Sequence, residues 1–170
     1  MPSGPGWPRP LPWGRGSDDG AGPVNGIGRA LWRTGNRVSV WLYRRTKGRL
    51  GATARGGSPV LVLTVRGRRS GRLFSCPVAY FERAGGWLVV GSAAGMPEDP
   101  QWFRNLRAAS DAVVEIGQER HEVTVRVLEG AERDDAFAQV LAENPGFADY
   151  ERKSGRTMPV ALLTPRPASG

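Results

Sequence analysis

Histidine and cysteine occur once each in this chain of 170 residues, as His121 and Cys76, and lysine only twice. With one imidazole and no GxSxG elbow, neither a Ser-His-Asp nor a Cys-His arrangement gains support. His121 alternates with Val123 and Val125 and reads as a structural side chain. No cysteine–histidine cluster has zinc spacing and no aspartate-rich loop has calcium spacing, so no metal is expected. Cys76 has no second cysteine to pair with, which makes a cytoplasmic location the default expectation. No run of 18 apolar residues occurs, so no transmembrane helix is expected. The opening MPSGPGWPRPLPWG lacks the apolar centre of a secretory signal. Without a strong acid–base set of its own, an enzyme of this size is expected to borrow reactivity from a cofactor.

The formal charge of +8 is unevenly placed. Residues 1–55 hold ten Lys/Arg and two acids, a balance of +8, whereas residues 56–170 hold fourteen of each and are neutral. A basic Pro/Gly tail and one basic helix, without an RNA-binding aromatic pattern, argue against a nucleic-acid partner. Arginine outnumbers lysine by 22 to 2, which points to a GC-rich genome more than to arginine chemistry.

Residues 1–24 contain six Pro and six Gly with almost no aliphatic side chains, and are expected to be a disordered tail. Residues 25–55 read as a basic amphipathic helix and linker. Ile27, Leu31, Val38, Trp41 and Leu42 line one side, and Arg29, Arg33, Arg37 and Arg44 line the other. Such a helix either packs on its own domain or touches an anionic membrane through residues 25–49, and packing is favoured. The main domain is expected over 56–165, followed by a short tail at 166–170. Within it, β runs at 59–66, 72–82, 87–93, 111–117, 120–129 and 157–164 are separated by short turns. Pro77 is expected to mark a bulge or interruption. Pro100 opens a short helix, and 131–143 and 146–153 read as two more. Six strands with short connections and helices between them predict an α+β, mostly antiparallel barrel with peripheral helices. Gly26-Ile27-Gly28 has no preceding strand or third glycine, so no dinucleotide fold is indicated.

Three segments carry a resemblance. Gly67-Arg68-Arg69-Ser70-Gly71 turns between two strands and is followed by Cys76-Pro77-Val78. Val89-Val90-Gly91-Ser92-Ala93-Ala94-Gly95 is a strand ending in small residues. Asp99-Pro100-Gln101-Trp102-Phe103-Arg104-Asn105-Leu106 opens a helix before another strand. With Tyr150 and Thr157-Met158-Pro159-Val160, their order and spacing resemble the deazaflavin (coenzyme F420)-dependent nitroreductase and quinone reductase family of split β-barrel oxidoreductases, over about residues 55–165.

The resemblance implies the split β-barrel form of the fold. It also implies a reductase moving hydride from reduced 8-hydroxy-5-deazaflavin to a small-molecule acceptor, an activated C=C, C=N, quinone or nitro group. FMN is the less favoured cofactor. Arg68, Arg69, Ser70 and Arg72 would offer donors to the phosphate and acidic tail, although a solvated basic turn reads equally well from the residues alone. Cys76, Pro77, Val78, Val90, Gly91, Ser92 and Ala93 would border the ring, with Pro100, Gln101, Trp102 and Asn105 on the short helix. Trp102 reads equally as core. Tyr150 and Ser92 would serve the reacting acceptor, with Ala79, Asn144, Phe147 and Tyr150 around it. Phe74 and Ala93 stand where relatives commonly carry cations, which leaves Arg72 or an arginine of the N-terminal helix to compensate. Of the matching positions where relatives carry tyrosine, only Tyr150 keeps a hydroxyl. The alternative reading is a noncatalytic split-barrel module holding a flavin-like or hydrophobic ligand, and either a monomer or a homodimer is compatible with the sequence.

Overall fold

The computed structural model describes residues 39–46, 54 and 57–167, so the expected tail at 1–24 lies outside them. A helical segment at 39–45 (α1) precedes β1 (Val60–Arg66), β2 (Leu73–Arg83) and β3 (Gly86–Val90). A 3-10 turn (Ala93–Gly95) and α2 (Gln101–Arg107) lead to the hairpin β4 (Asp111–Ile116) and β5 (Glu119–Val127). Helices α3 (Gly130–Glu143) and α4 (Gly146–Ser154) then precede β6 (Val160–Pro165). The strands close into an antiparallel barrel in the order β1-β2-β3-β6-β5-β4. The six expected strands and the helices expected after Pro100 and over 131–143 and 146–153 are present with boundaries shifted by a few residues, while most of the helix expected over 25–49 lies outside the described residues.

Strand alternation divides the apolar side chains between two cores. Leu61, Leu63 and Val65 point inward with Val78, Tyr80, Val89, Val114 and Leu163, and Phe103 and Leu106 of α2 plug the same interior. On the outer face, Phe81, Leu88, Val90 and Val160 lie under Phe137 and Val140 of α3 and Phe147 of α4. β1 is covered on both sides, because Val62 meets Val40 and Tyr43 of α1. Its continuous run VLVLTV, rather than an alternating one, follows from that double burial.

The end of the N-terminal helix packs on the barrel, but with a different face from the one the apolar residues predict. Val40 and Tyr43 are buried, whereas Trp41 is 45% exposed and Leu42 half-buried; Ile27, Leu31 and Val38 lie outside the described residues. Tyr43 accounts for the rotation. Its hydroxyl donates to the Val60 carbonyl (3.1 Å) and accepts from the Gly117 N–H (2.9 Å), tying the helix to β1 and to the β4–β5 turn. Arg44 forms an ion pair with Glu115 of β4 beside it (2.6 Å). No described helix is long and apolar enough to cross a membrane.

Removing the Tyr43 hydroxyl leaves one buried carbonyl and one N–H without that partner. Tyr43→Phe is therefore expected to lower unfolding stability by about 1–3 kcal/mol. Urea denaturation should show an earlier midpoint with an unchanged slope.

Candidate active site

The barrel wall is incomplete beside Pro77. β2 has eleven residues and β3 only five, and β3 pairs with β2 only over Tyr80–Arg83. On its other side β2 is continuous, in register with β1 from Leu73 to Ala79. The Tyr80 N–H donates to the Pro59 carbonyl (3.0 Å), so ladder alternation turns the nitrogen of Pro77 away from β1, toward the side that β3 does not reach. A proline there forfeits no ladder bond. The expected interruption is thus a missing neighbour, not a break in β2 itself. Cys76 and Val78 point into the barrel, and Pro77 and Ala79 point outward.

Beyond β3 the chain leaves the sheet at Gly91. A Cβ at this position would sit 2.8 Å from Pro159 Cγ and 2.9 Å from the Phe103 ring, so only glycine fits. The strand expected through Ala93 ends at Val90, and Ser92 starts the 3-10 turn. Ala93 (φ 46°) and Ala94 (φ 53°) are both left-handed, a conformation that residues other than glycine disfavour.

Arg156 reaches this loop from the far side. Its Nη2 donates to the Gly91 and Ser92 carbonyls (2.9 and 3.2 Å) and its Nε to the Met96 carbonyl (3.0 Å). Its Nη1 pairs with Asp99 (2.7 Å), whose other oxygen takes Arg107 (2.9 Å). Burial draws the Arg156 pKa down and Arg104 and Arg107 add to this, while Asp99 and Glu151 oppose it. A guanidinium so held stays charged at neutral pH. Sequence reading missed Arg156, since an arginine after Gly155 resembles any solvated turn charge, and it placed Asp99 in the third segment without a role.

The basic turn is held by α2. The Asn105 carboxamide, 1% exposed, accepts from the Arg68 backbone N–H (3.3 Å) and from Arg68 Nη1 (2.8 Å). Asn105 therefore orients Arg68, and its Oδ1 is already engaged. Ser70 Oγ accepts the Arg72 N–H (3.3 Å) inside the turn, and Arg69 is exposed. Pro100 precedes α2, its carbonyl accepting the N–H groups of Phe103 and Arg104 (3.0 and 3.1 Å). Trp102 is half-buried against the barrel core, edge-on to Phe103.

Among the residues expected around an acceptor, Ala79, Phe147 and Tyr150 come together on the outer core. The Tyr150 ring meets Phe147 edge-on with centroids 5.5 Å apart. Asn144 is committed elsewhere: Nδ2 donates to Ser58 Oγ (2.8 Å) and Oδ1 accepts the Gly146 N–H (3.2 Å), so it anchors the start of α4. His121 of β5 lies beside Trp87 of β3, with ring centroids 5.1 Å apart.

The donor set suits an anionic, planar, polar-rimmed cofactor. Arg68, Arg69 and Arg72 crowd one turn, and the side chains of Arg69, Ser92, Gln101, Trp102 and Tyr150 form no hydrogen bond to another described residue. The open flank of β2 and the small, partly exposed residues Ser92–Ala94 leave backbone approachable, while Gly91 and Gly95 are buried.

The sequence profile of the F420H(2)-dependent quinone reductase family matches residues 35–165. The chain belongs to this family. An F420H(2)-dependent quinone reductase of Mycobacterium tuberculosis (strain ATCC 25618 / H37Rv) is 30% identical over 133 residues, covering 76% of this chain and 89% of that protein. A second protein of that organism bearing the family's name is 36% identical over 118 residues, covering 69% and 99%. Among solved structures, the F420-H2 dependent reductase FDR-A superposes with a TM-score of 0.56 at 30% identity, over 62% of this chain and 93% of that one. A domain-swapped dimer superposes with a TM-score of 0.58 at 26% identity, over 79% and 98%. The resemblance drawn from the three motifs and the expected split-barrel architecture are both borne out.

Two measurements follow from this geometry. Gly91→Ala presses a methyl against Phe103 and Pro159 and should cost about 1–3 kcal/mol in thermal or urea unfolding. Burial pushes the Cys76 thiol up to about 12, so the reactive thiolate is scarce at pH 8. Native protein should resist iodoacetamide at that pH, with the cysteine modified only after unfolding.

Proposed function

We propose that this family member reduces a small activated acceptor, a quinone, nitro, C=C or C=N group, at the open flank of β2, with reduced F420 as hydride source. The observation that supports the reading is a β2 whose neighbour β3 stops short, together with polar side chains that form no hydrogen bond to another described residue: Arg69 on the β1–β2 turn, Ser92 after β3, Gln101 and Trp102 on α2, and Tyr150 on α4. Arg68 and Arg69, with Ser70 and Arg72, bind the phosphate and carboxylate end, and Asn105 holds Arg68 in place. Pro77–Ala79 and Gly91–Ala93 border the ring. When bound, the reduced deazaflavin supplies two electrons as hydride.

Tyr150 and Ser92 work on the acceptor. Each hydroxyl can donate to an oxygen or nitrogen that gains negative charge as hydride arrives, and Tyr150 or solvent returns the proton. Ala79 and Phe147 form the apolar wall against which the acceptor lies. A phenol on a helix packed into the outer core keeps its position without a tightly built pocket, because Phe147 fixes the ring edge-on.

Fluorescence titration with F420, FMN and FAD tests the cofactor assignment, with binding expected for F420 and weak or no binding for the flavins. Arg68→Ala/Arg69→Ala should weaken F420 by more than about tenfold, each charge-assisted bond being worth roughly 1.5–3 kcal/mol. Unchanged affinity would take the phosphate role from this turn. Tyr150→Phe should retain F420 affinity while turnover of a menadione-type quinone falls about a hundredfold or more, as loss of a charge-stabilising donor does. Binding without turnover of any acceptor class would favour the noncatalytic ligand-binding module.

A further inference from the structure

The two halves of the proposed site lie on different elements. Ser92 and Ala93 stand on the loop after β3, and Tyr150 stands on α4. Arg156 follows the left-handed Gly155 that ends α4, and its guanidinium turns back to engage the carbonyls of Gly91, Ser92 and Met96 and the Asp99 carboxylate. The same helix touches the loop a second time, where the Lys153 stem lies over Gly95; a Cβ on Gly95 would come within 3.0 Å of Lys153 Cδ. Glu151, one helical turn before the cap, accepts the Met158 N–H (2.8 Å), so the segment carrying Arg156 is pinned on both sides.

The loop so engaged is one that does not hold its own shape cheaply. Ala93 and Ala94 are successive left-handed residues without glycine's freedom, and such conformations persist only where their surroundings enforce them. Within the turn, the Gly95 N–H reaches the Ser92 carbonyl (2.9 Å) and the Met96 N–H the Ala93 carbonyl (3.1 Å). The carbonyls at its two ends, Gly91 and the already engaged Ser92 on one side and Met96 on the other, are gathered by one guanidinium.

We propose that Arg156 is a positioning residue that holds the 91–99 loop in its cofactor-bordering shape and ties it to the helix bearing Tyr150. This rests on the F420 reading of the site for its consequence in binding, and on the loop geometry alone for its consequence in dynamics. The planar fork of arginine, not its charge, is the property that matters. Lysine keeps the charge but cannot span carbonyls on both ends of the turn and a carboxylate together.

The test compares Arg156→Gln, Arg156→Lys and Val140→Ala with wild type. Val140 is fully buried in the outer core on α3 and provides a control for general destabilisation. Hydrogen exchange at the Gly95 and Met96 amides, measured without cofactor, should accelerate by about tenfold or more in both Arg156 variants and not in Val140→Ala. F420 affinity, followed by fluorescence, should fall by about tenfold in both Arg156 variants and hold in the control. Unchanged exchange in Arg156→Gln overturns the proposal whatever the cofactor result. Affinity in Arg156→Lys equal to wild type also overturns it, since the residue would then act through charge. If wild type itself binds no F420, the cofactor reading fails, and the exchange result alone decides whether Arg156 organises the loop.

Discussion

The end of β3 is set by a close contact: the Gly91 N–H still donates to the Pro159 carbonyl (2.9 Å), and the rings of Phe103 and Pro159 leave no room for a side chain there. β3 has five residues against eleven in β2, and its pairing with β2 covers only Tyr80–Arg83. Phe103 is in turn the plug of the barrel interior, delivered by a helix of seven residues. The residue that fills the barrel interior thus also packs against the end of β3, beside which the Leu73–Ala79 part of β2 has no β3 partner.

Around that opening, buried polar groups act mainly by placing other residues. Asn105 orients Arg68, Asn144 starts α4 and anchors Ser58, and Arg156 gathers the loop after β3. Arg133, itself buried, donates to the Met158 carbonyl, pairs with Glu151 and covers Phe137. Each sits where an unpaired backbone or side-chain polar atom would otherwise be desolvated, so stability and site geometry depend on the same contacts. The side chains of Ser92, Gln101, Trp102 and Tyr150, by contrast, keep donors uncommitted to other described residues. That division between engaged and uncommitted polar groups separates scaffold from candidate ligand contacts more sharply than position in the sequence does.

Family membership supports the overall chemistry, while the differences from relatives bear on its details. Phe74 and Ala93 have uncharged side chains and add no cation. In the proposed reading the cationic contribution falls on the turn at Arg68–Arg72 or on an arginine of the N-terminal helix. On the outer core a single tyrosine, Tyr150, packs with Phe147 and Ala79, an apolar surface with one hydroxyl that the proposed reading assigns to the acceptor.

Composition and spacing by themselves determined the class of the protein: a neutral main domain with a basic N-terminal third, six strands with short turns, and three ordered motifs that identify the family. These are local signals, since strand alternation, turn glycines and a proline opening α2 each act within a few residues. The phase of α1 was not legible, because Tyr43 is buried for its hydroxyl as much as its ring, and its partners Val60 and Gly117 lie 17 and 74 positions away. The nature of the gap at Pro77 was likewise tertiary, depending on where β3 stops rather than on β2. Arg156 was hidden for the same reason: its partners at Gly91 and Ser92 are 65 and 64 residues away. Only closure of the barrel brings them within reach of one guanidinium, and no property of a lone arginine after a glycine distinguishes it beforehand from a charge in water.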